Sequence, residues 1–240
     1  MRHPLVPTVV VAALLASCGG GQEPPSQKQV DKEVKETLRR AQTGEKVTET
    51  ESGRNPCDML RAVDLAATFD VEASAIEFRP SFTSHPLCTA TWNLPNAAEL
   101  QAKQGEVMMD YMKRKAAAQS KREPFDEKIP ILRTDASASL TVVNQEFDSP
   151  EEAVAFLENA VATLGKGITT EVMGKKHTTQ IAYDDWMSGV GDRAAWAPKL
   201  SELSVAADGV VFHVSVRASQ DAAENQNRAI EIAKKIAAGL

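Results

Sequence analysis

The amino-acid sequence predicts an α+β fold: an antiparallel sheet with helices packed on one face. Three observations carry that expectation. Apolar residues alternate with polar ones in some stretches, as in half-buried strands, and recur every three or four residues in others, as in amphipathic helices. Asp208-Gly209 separates two strand-like runs, 200–206 and 210–217, and is a strong hairpin signal. A strand, a helix and a glycine follow one another twice, at 137–165 and at 210–239, which suggests two related strand-helix halves.

The folded part is expected to begin at Asn55. Asn55-Pro56 has the chemistry of a helix start, with a capping side chain and a proline whose missing N–H is not needed there. Met59, Leu60, Val63, Ala66 and Ala67 continue at helical spacing as far as Phe69. Residues 75–79 read as a strand with Ile76 and Phe78 on one face. Cys88, Ala90 and Trp92 alternate with Thr89 and Thr91, a half-buried strand. Asn96 with Glu99 caps a long helix reaching toward Lys121, whose apolar side is Leu100, Val107, Met108, Tyr111 and Met112. Its second half carries Lys113, Arg114, Lys115, Lys121 and Arg122, cations that suit a helix C-terminus. Pro124 and Pro130 bound a loop. Ser149-Pro150-Glu151 opens a helix carrying Val154, Leu157, Val161 and Leu164 and ending at Gly165. Asp221 with Glu224 caps the last helix, in which Ala229, Ile232, Ala233 and Ile236 form the buried stripe before Gly239.

Ahead of Asn55, residues 18–54 read as a polar tether. Gly, Gln and Pro dominate 19–26, and charge alternates over 27–40 around a thin stripe of Val30, Val34 and Leu38. The first 17 residues are different. Arg2 and His3 precede an uncharged apolar run, 5–16, that closes on Leu15-Ala16-Ser17-Cys18. A dozen residues make about 18 Å of helix, too short for a hydrocarbon core of about 30 Å. The run therefore reads as a removable secretory segment. With its cysteine it resembles the lipobox of bacterial lipoproteins. The resemblance implies diacylglyceryl transfer to the Cys18 thiol, cleavage before it, and anchoring of the mature chain to a membrane by acyl chains. Gly19, which is not an aspartate, implies the outer membrane facing the periplasm in a two-membrane bacterium. In a single-membrane bacterium the implied place is the outer face of the plasma membrane.

Loss of 1–17 removes one arginine and no acid, so 26 basic residues face 33 acidic ones. That acidic balance argues against nucleic acid as a partner. With Cys18 acylated, Cys57 and Cys88 remain, and in an exported chain they are expected to pair. His85 lies three residues before Cys88, but three ligands at one irregular spacing make no zinc signature, so no metal is expected.

No motif establishes catalysis. Gly189-Val190-Gly191 is not a dinucleotide fingerprint and reads as a turn before a strand. Gly165-Lys166-Gly167 lacks the rest of a P-loop, and no Gly-x-Ser-x-Gly elbow occurs. His177 reads as part of a solvated loop. His213, alternating with Phe212, reads as structural, and neither histidine has a triad or metal partner nearby in sequence. Acids, aromatics and glycines cluster over 183–196, which makes Tyr183, Asp184, Asp185, Trp186, Asp192, Arg193 and Trp196 the candidate binding surface. Asn55-Pro56-Cys57, the segment 88–92 and the Gly-Val-Gly-Asp run ending in Trp196 resemble a group of uncharacterised envelope lipoprotein domains, over 55–93 and 185–238. That resemblance implies a location and a fold, and no activity. The expected function is a membrane-anchored, non-catalytic module without a cofactor, binding a small ligand or an envelope protein. The alternatives are a structural or assembly lipoprotein, and an enzyme built from distant acids such as Asp184, Asp185 and Asp192 with Arg193.

Overall fold

A computed structural model describes residues 50, 53–82, 84–145, 147–172 and 175–240. The expectations for the leader 1–17, for Cys18 and for nearly all of the tether 18–54 lie outside the described residues.

The chain folds around a six-stranded, wholly antiparallel sheet, so the α+β class is established. Among the described residues two short helices come first, α1 (Pro56–Ala62) and α2 (Leu65–Phe69), then strands β1 (Glu77–Phe82) and β2 (Pro86–Asn93). The long helix α3 (Ala97–Lys121) precedes β3 (Asp135–Val142) and α4 (Pro150–Lys166). A separate two-stranded ribbon, β4 (Ile168–Val172) and β5 (Lys175–Thr179), leads to β6 (Arg193–Ala197), β7 (Glu202–Ala207), β8 (Val210–Arg217) and α5 (Ala222–Ala237). The order across the sheet is β1-β2-β3-β8-β7-β6. His177, expected in a loop, lies in β5, where the antiparallel pairing with β4 sets it opposite Thr170.

Local chemistry sets the element ends. Asn55 Oδ1 accepts from the Cys57 N–H at 2.9 Å, with Pro56 at the first helical position. The single helix expected to run to Phe69 is broken at Val63-Asp64. Val63 is extended, and the Asp64 carboxylate accepts from the Ala67 N–H at 3.0 Å, starting a new helix. Ser149 Oγ accepts from the Glu152 N–H while Glu152 reaches back to the Asp148 N–H, the reciprocal arrangement that closes a helix start. Gly167, not Gly165, terminates α4. Asn96 begins α3 without a side-chain cap bond. Asp208 and Gly209 both take positive φ, 47° and 71°, and form the two-residue turn between β7 and β8.

The sheet has two chemically distinct faces. On the first, the register aligns Cys88, Leu140, Val214, Leu203 and Trp196 in one row and Val142, Phe212, Val205 and Ala194 in the next. These residues, with Leu60 of α1 and Ala229, Ile232, Ala233 and Ile236 of α5, form the main core. The Cys57–Cys88 disulfide ties the first turn of α1 to β2 inside that core. Helix placement departs from the single-face expectation. The inward stripe of α4 (Ala153, Phe156, Leu157) packs with Ala206 and Val211, which alternate with the main-core residues of β7 and β8. α4 therefore covers the second face, and the two strand-helix units deliver their helices to opposite sides. Both stripes are apolar, so each helix needs cover, and one face of β7–β8 cannot hold both.

Candidate functional site

The seven residues singled out over 183–196 are placed on different sides of the fold. Trp196, 3% exposed, is a main-core residue on the first face. Trp186 is half-buried against the α4 cluster, and the Arg193 guanidinium lies 4.4 Å from its ring centroid. Arg193 also pairs with Glu158 of α4 at 2.8 Å, which pins the loop to that helix. Asp192 Oδ2 accepts from the Asp208 N–H at 3.0 Å and so fastens the loop to the β7–β8 turn. Asp184 bonds through its backbone N–H to the Trp196 carbonyl, and its side chain is exposed, as is that of Asp185. Only Arg193 and Trp186 are brought together as side chains. Tyr183 packs with Leu164, Ile181 and Ala197 and turns toward the residues of β7 described below.

Gly189 and Gly191 form the turn before β6, at φ 75° and 57°. A Cβ at Gly191 would meet the Ala206 carbonyl oxygen at 2.6 Å and the side chains of Ala207 and Val205 at 2.9 Å, whereas one at Gly189 would meet nothing within 4 Å. Gly191→Ala is therefore expected to lower stability by about 2–3 kcal/mol and Gly189→Ala by about 1 kcal/mol, measured by urea unfolding. Equal effects would show that Gly191 is not held by close approach.

The structure assembles a different polar site on the second sheet face. The register there places Thr91, Ser137 and Arg217 in one row, Thr89, Ser139, Ser215 and Glu202 in the next, and Leu87, Thr141, His213 and Ser204 in the third. Most of these side chains are half-buried, and Ser204 is buried. Among the described residues, no helix packs closely over the β1–β3 half of this face. The hydroxyls can donate and accept, so the surface is suited to hydrogen bonding and lacks a fixed charge sign.

At its β7–β8 end lies a buried cluster. His213 Nδ1 is 2.9 Å from Ser204 Oγ and 3.7 Å from Glu202 Oε1. Burial holds His213 down at about 4. Burial pushes Glu202 up to about 7, against the pull of Arg217. Burial, then the neighbouring Glu202, raises Tyr183 to about 12, while its hydrogen bond with Ser204 acts the other way. His85, 4% exposed, accepts the Asn144 N–H on Nδ1 at 3.1 Å. Its Nε2 has no hydrogen-bond partner among the described residues. Burial, and then proximity to His213, lowers His85 to about 4.

A serine, a histidine and a carboxylate in contact invite comparison with a hydrolase triad, and the geometry differs in one decisive respect. A triad base takes the serine proton on one ring nitrogen while the carboxylate holds the other. Here serine and carboxylate both address Nδ1. The Ser204–His213 contact ties β7 to β8 on this face. Among the described residues no group of three histidine, cysteine or acidic side chains could hold a metal ion. Sequence reading missed this face because its residues alternate with the apolar ones that dominate β7 and β8. The signal was present in the polar positions Glu202, Ser204, His213 and Ser215, two apart in each strand.

Comparison with known protein families, with curated proteins and with solved structures gives no match for this chain.

Proposed function

We propose that this protein is an envelope lipoprotein, anchored by acyl chains on Cys18, whose domain from Asn55 onward is a non-catalytic binding module. The half-buried hydroxyl face of β2, β3 and β8 carries the reading. Thr89, Ser139 and Ser215 form a row of short, uncharged hydrogen-bonding groups, in a position where a sheet ordinarily buries apolar side chains under a helix or exposes long charged ones. Such a surface fits a polar ligand or the polar surface of an envelope protein. The Nδ1-sided contacts of His213 favour binding over turnover. The lipobox-like Leu15-Ala16-Ser17-Cys18 supports the location, since two or three acyl chains hold a protein durably where one binds only marginally.

The test is affinity capture from native membranes with the full chain, comparing the natural sequence with Ser139→Arg. Ser139 is half-buried at the middle of the face, so an arginine there obstructs the surface from its solvent side. The expected result is a specific partner or ligand whose recovery falls at least about tenfold in the variant while circular dichroism is unchanged. Unchanged recovery would remove the hydroxyl face as the binding surface. Mass spectrometry of the N-terminal peptide reads the anchor independently: a mature chain starting at an acylated Cys18 is expected, and an unmodified cysteine defeats that part alone.

A further inference from the structure

Helix α3 is the longest among the described residues, 25 residues, and among them it packs closely on no strand and no other helix. It is held by its own return segment, 123–134. Gln104 donates to the Pro130 carbonyl and accepts from the Leu132 N–H, Tyr111 stacks edge-on against Phe125, and Arg114 pairs with Glu127. The return segment covers one side of the helix. The other side carries Ala98, Ala102, Gly105, Met109, Met112 and Ala116, spaced alternately four and three residues apart and all exposed. Met109 is 62% and Met112 55% exposed, and together with Ile129 and Ile131 of the return segment they are the exposed large hydrophobics of the described residues. Among the described residues, the exposed large apolar side chains thus lie on one unit, the helix and its return segment. Gly105 sits in mid-helix, where it costs about 1 kcal/mol relative to alanine, yet nothing among the described residues lies within 4 Å of the Cβ it lacks.

The four-three spacing is that of a coiled-coil seam, and the charges beside it specify what fits. In the first half of α3, Glu99 and Glu106 outnumber Lys103, and in the second half Asp110 stands alone against the cations. The second half and its cap carry Lys113, Arg114, Lys115, Lys121 and Arg122. Two parallel copies would set like charges together. Two antiparallel copies would set each acidic half against a basic half and oppose the helix dipoles favourably. In that register Met109 packs against Met112 of the second copy, Gly105 against Ala116, and Glu106 faces Lys113 on both sides of the two-fold axis. Lys103, beside Glu106, is paired with Glu99, and neither Glu106 nor Lys113 is in an ion pair among the described residues.

We infer that α3 is a self-association surface, through which two copies of this chain pair antiparallel along the Met109–Met112 seam. The inference is independent of any ligand on the sheet face. The experiment uses the full chain in detergent, followed by sedimentation velocity from about 1 to 100 μM, a range wide enough to reveal a transient dimer. A concentration-dependent dimer is expected. Glu106→Lys and Lys113→Glu should each weaken it by about tenfold, and the double exchange should restore it, because the two positions face each other only between copies. A contact with an anionic lipid surface gives the opposite pattern, Glu106→Lys strengthening and Lys113→Glu weakening attachment. A mixture of Gly105→Cys and Ala116→Cys chains should form a disulfide under mild oxidation. Gly105→Cys alone should not, since its two copies lie about 16 Å apart along the seam against a Cα limit near 7 Å. A monomer throughout the range, charge variants without effect, or efficient self-linking of Gly105→Cys overturns the inference.

Discussion

Acidification from pH 6.5 to pH 4 is expected to remove about 3–4 kcal/mol of folding stability, and the source is the cluster beneath β7 and β8. His85 and His213 are held neutral by burial, each lowered from 6.5 to about 4. A histidine with a depressed folded-state pKa binds its proton more readily when unfolded. Its contribution is fully present above pH 6.5 and is lost as pH falls toward 4. At about 1.4 kcal/mol per pH unit, the pair would remove roughly 7 kcal/mol. Glu202 works against them. Raised from 4.5 to about 7, it takes up a proton in the folded state first, so falling pH through 7 to 4.5 relieves the burial of its charge by roughly 3 kcal/mol. The net slope is one proton per molecule between pH 6.5 and 4.5 and steeper below, where the unfolded glutamate also protonates. Urea unfolding at half-unit intervals measures this. Glu202→Gln removes the opposing contribution and should make the acid loss steeper, while His213→Asn should flatten it. An acid slope unaltered in both variants would place the proton uptake elsewhere.

Much of the fold could be read before any coordinates, and the part that could depended on short-range chemistry. Asn55-Pro56 and Ser149-Pro150 marked helix starts because a side chain satisfies N–H groups only two or three residues away. Asp208-Gly209 marked the hairpin because both turn residues must take positive φ. The stripes of α4 and α5 were equally clear, but a stripe says that a face is buried and not against what. Their placement on opposite sides of the sheet therefore emerged only from the register of β3, β8 and β7. Trp196 illustrates the same limit. Beside glycines and acids it looked like part of an exposed loop, yet β6 carries it into the main core. The sheet-face site was hidden for a related reason. Thr89, Ser139 and Ser215 are ordinary outward residues in their own strands, and they become a surface only when β2, β3 and β8 lie side by side. The missing partner of α3 was legible in neither its capping nor its main apolar side, since the return segment uses that side up.

Removing the disulfide by Cys57→Ala with Cys88→Ala is expected to cost about 3–4 kcal/mol, the chain entropy released when a closed segment of this size is opened in the unfolded state. The loss should exceed what the smaller side chains alone would produce, because the bond also holds a weak element in place. α1 has only 7 residues, far fewer than the dozen or so needed for a helix to persist alone in water. Its grip on the fold includes Leu60 in the core with Met59 packed beside it, Arg61 over the Phe78 ring of β1, the sulfur bridge to β2, and the link to α2, where Phe69 meets Trp92 at 4.6 Å and Thr68 bonds Lys235 of α5. Without the bridge, α1 and α2 should open together before the sheet does. Hydrogen exchange over 56–69 would then quicken in the variant by more than exchange in β3 and β8. The strands at the centre of the sheet keep both neighbours and should unfold only globally. Urea unfolding with an unchanged midpoint would show that core packing, not the bridge, holds the first helix. Equal acceleration everywhere would show that the chain has no separable first step. Reduction of the natural sequence should shift the midpoint in the same direction but by less, because the two buried thiols keep the core volume that the alanines remove.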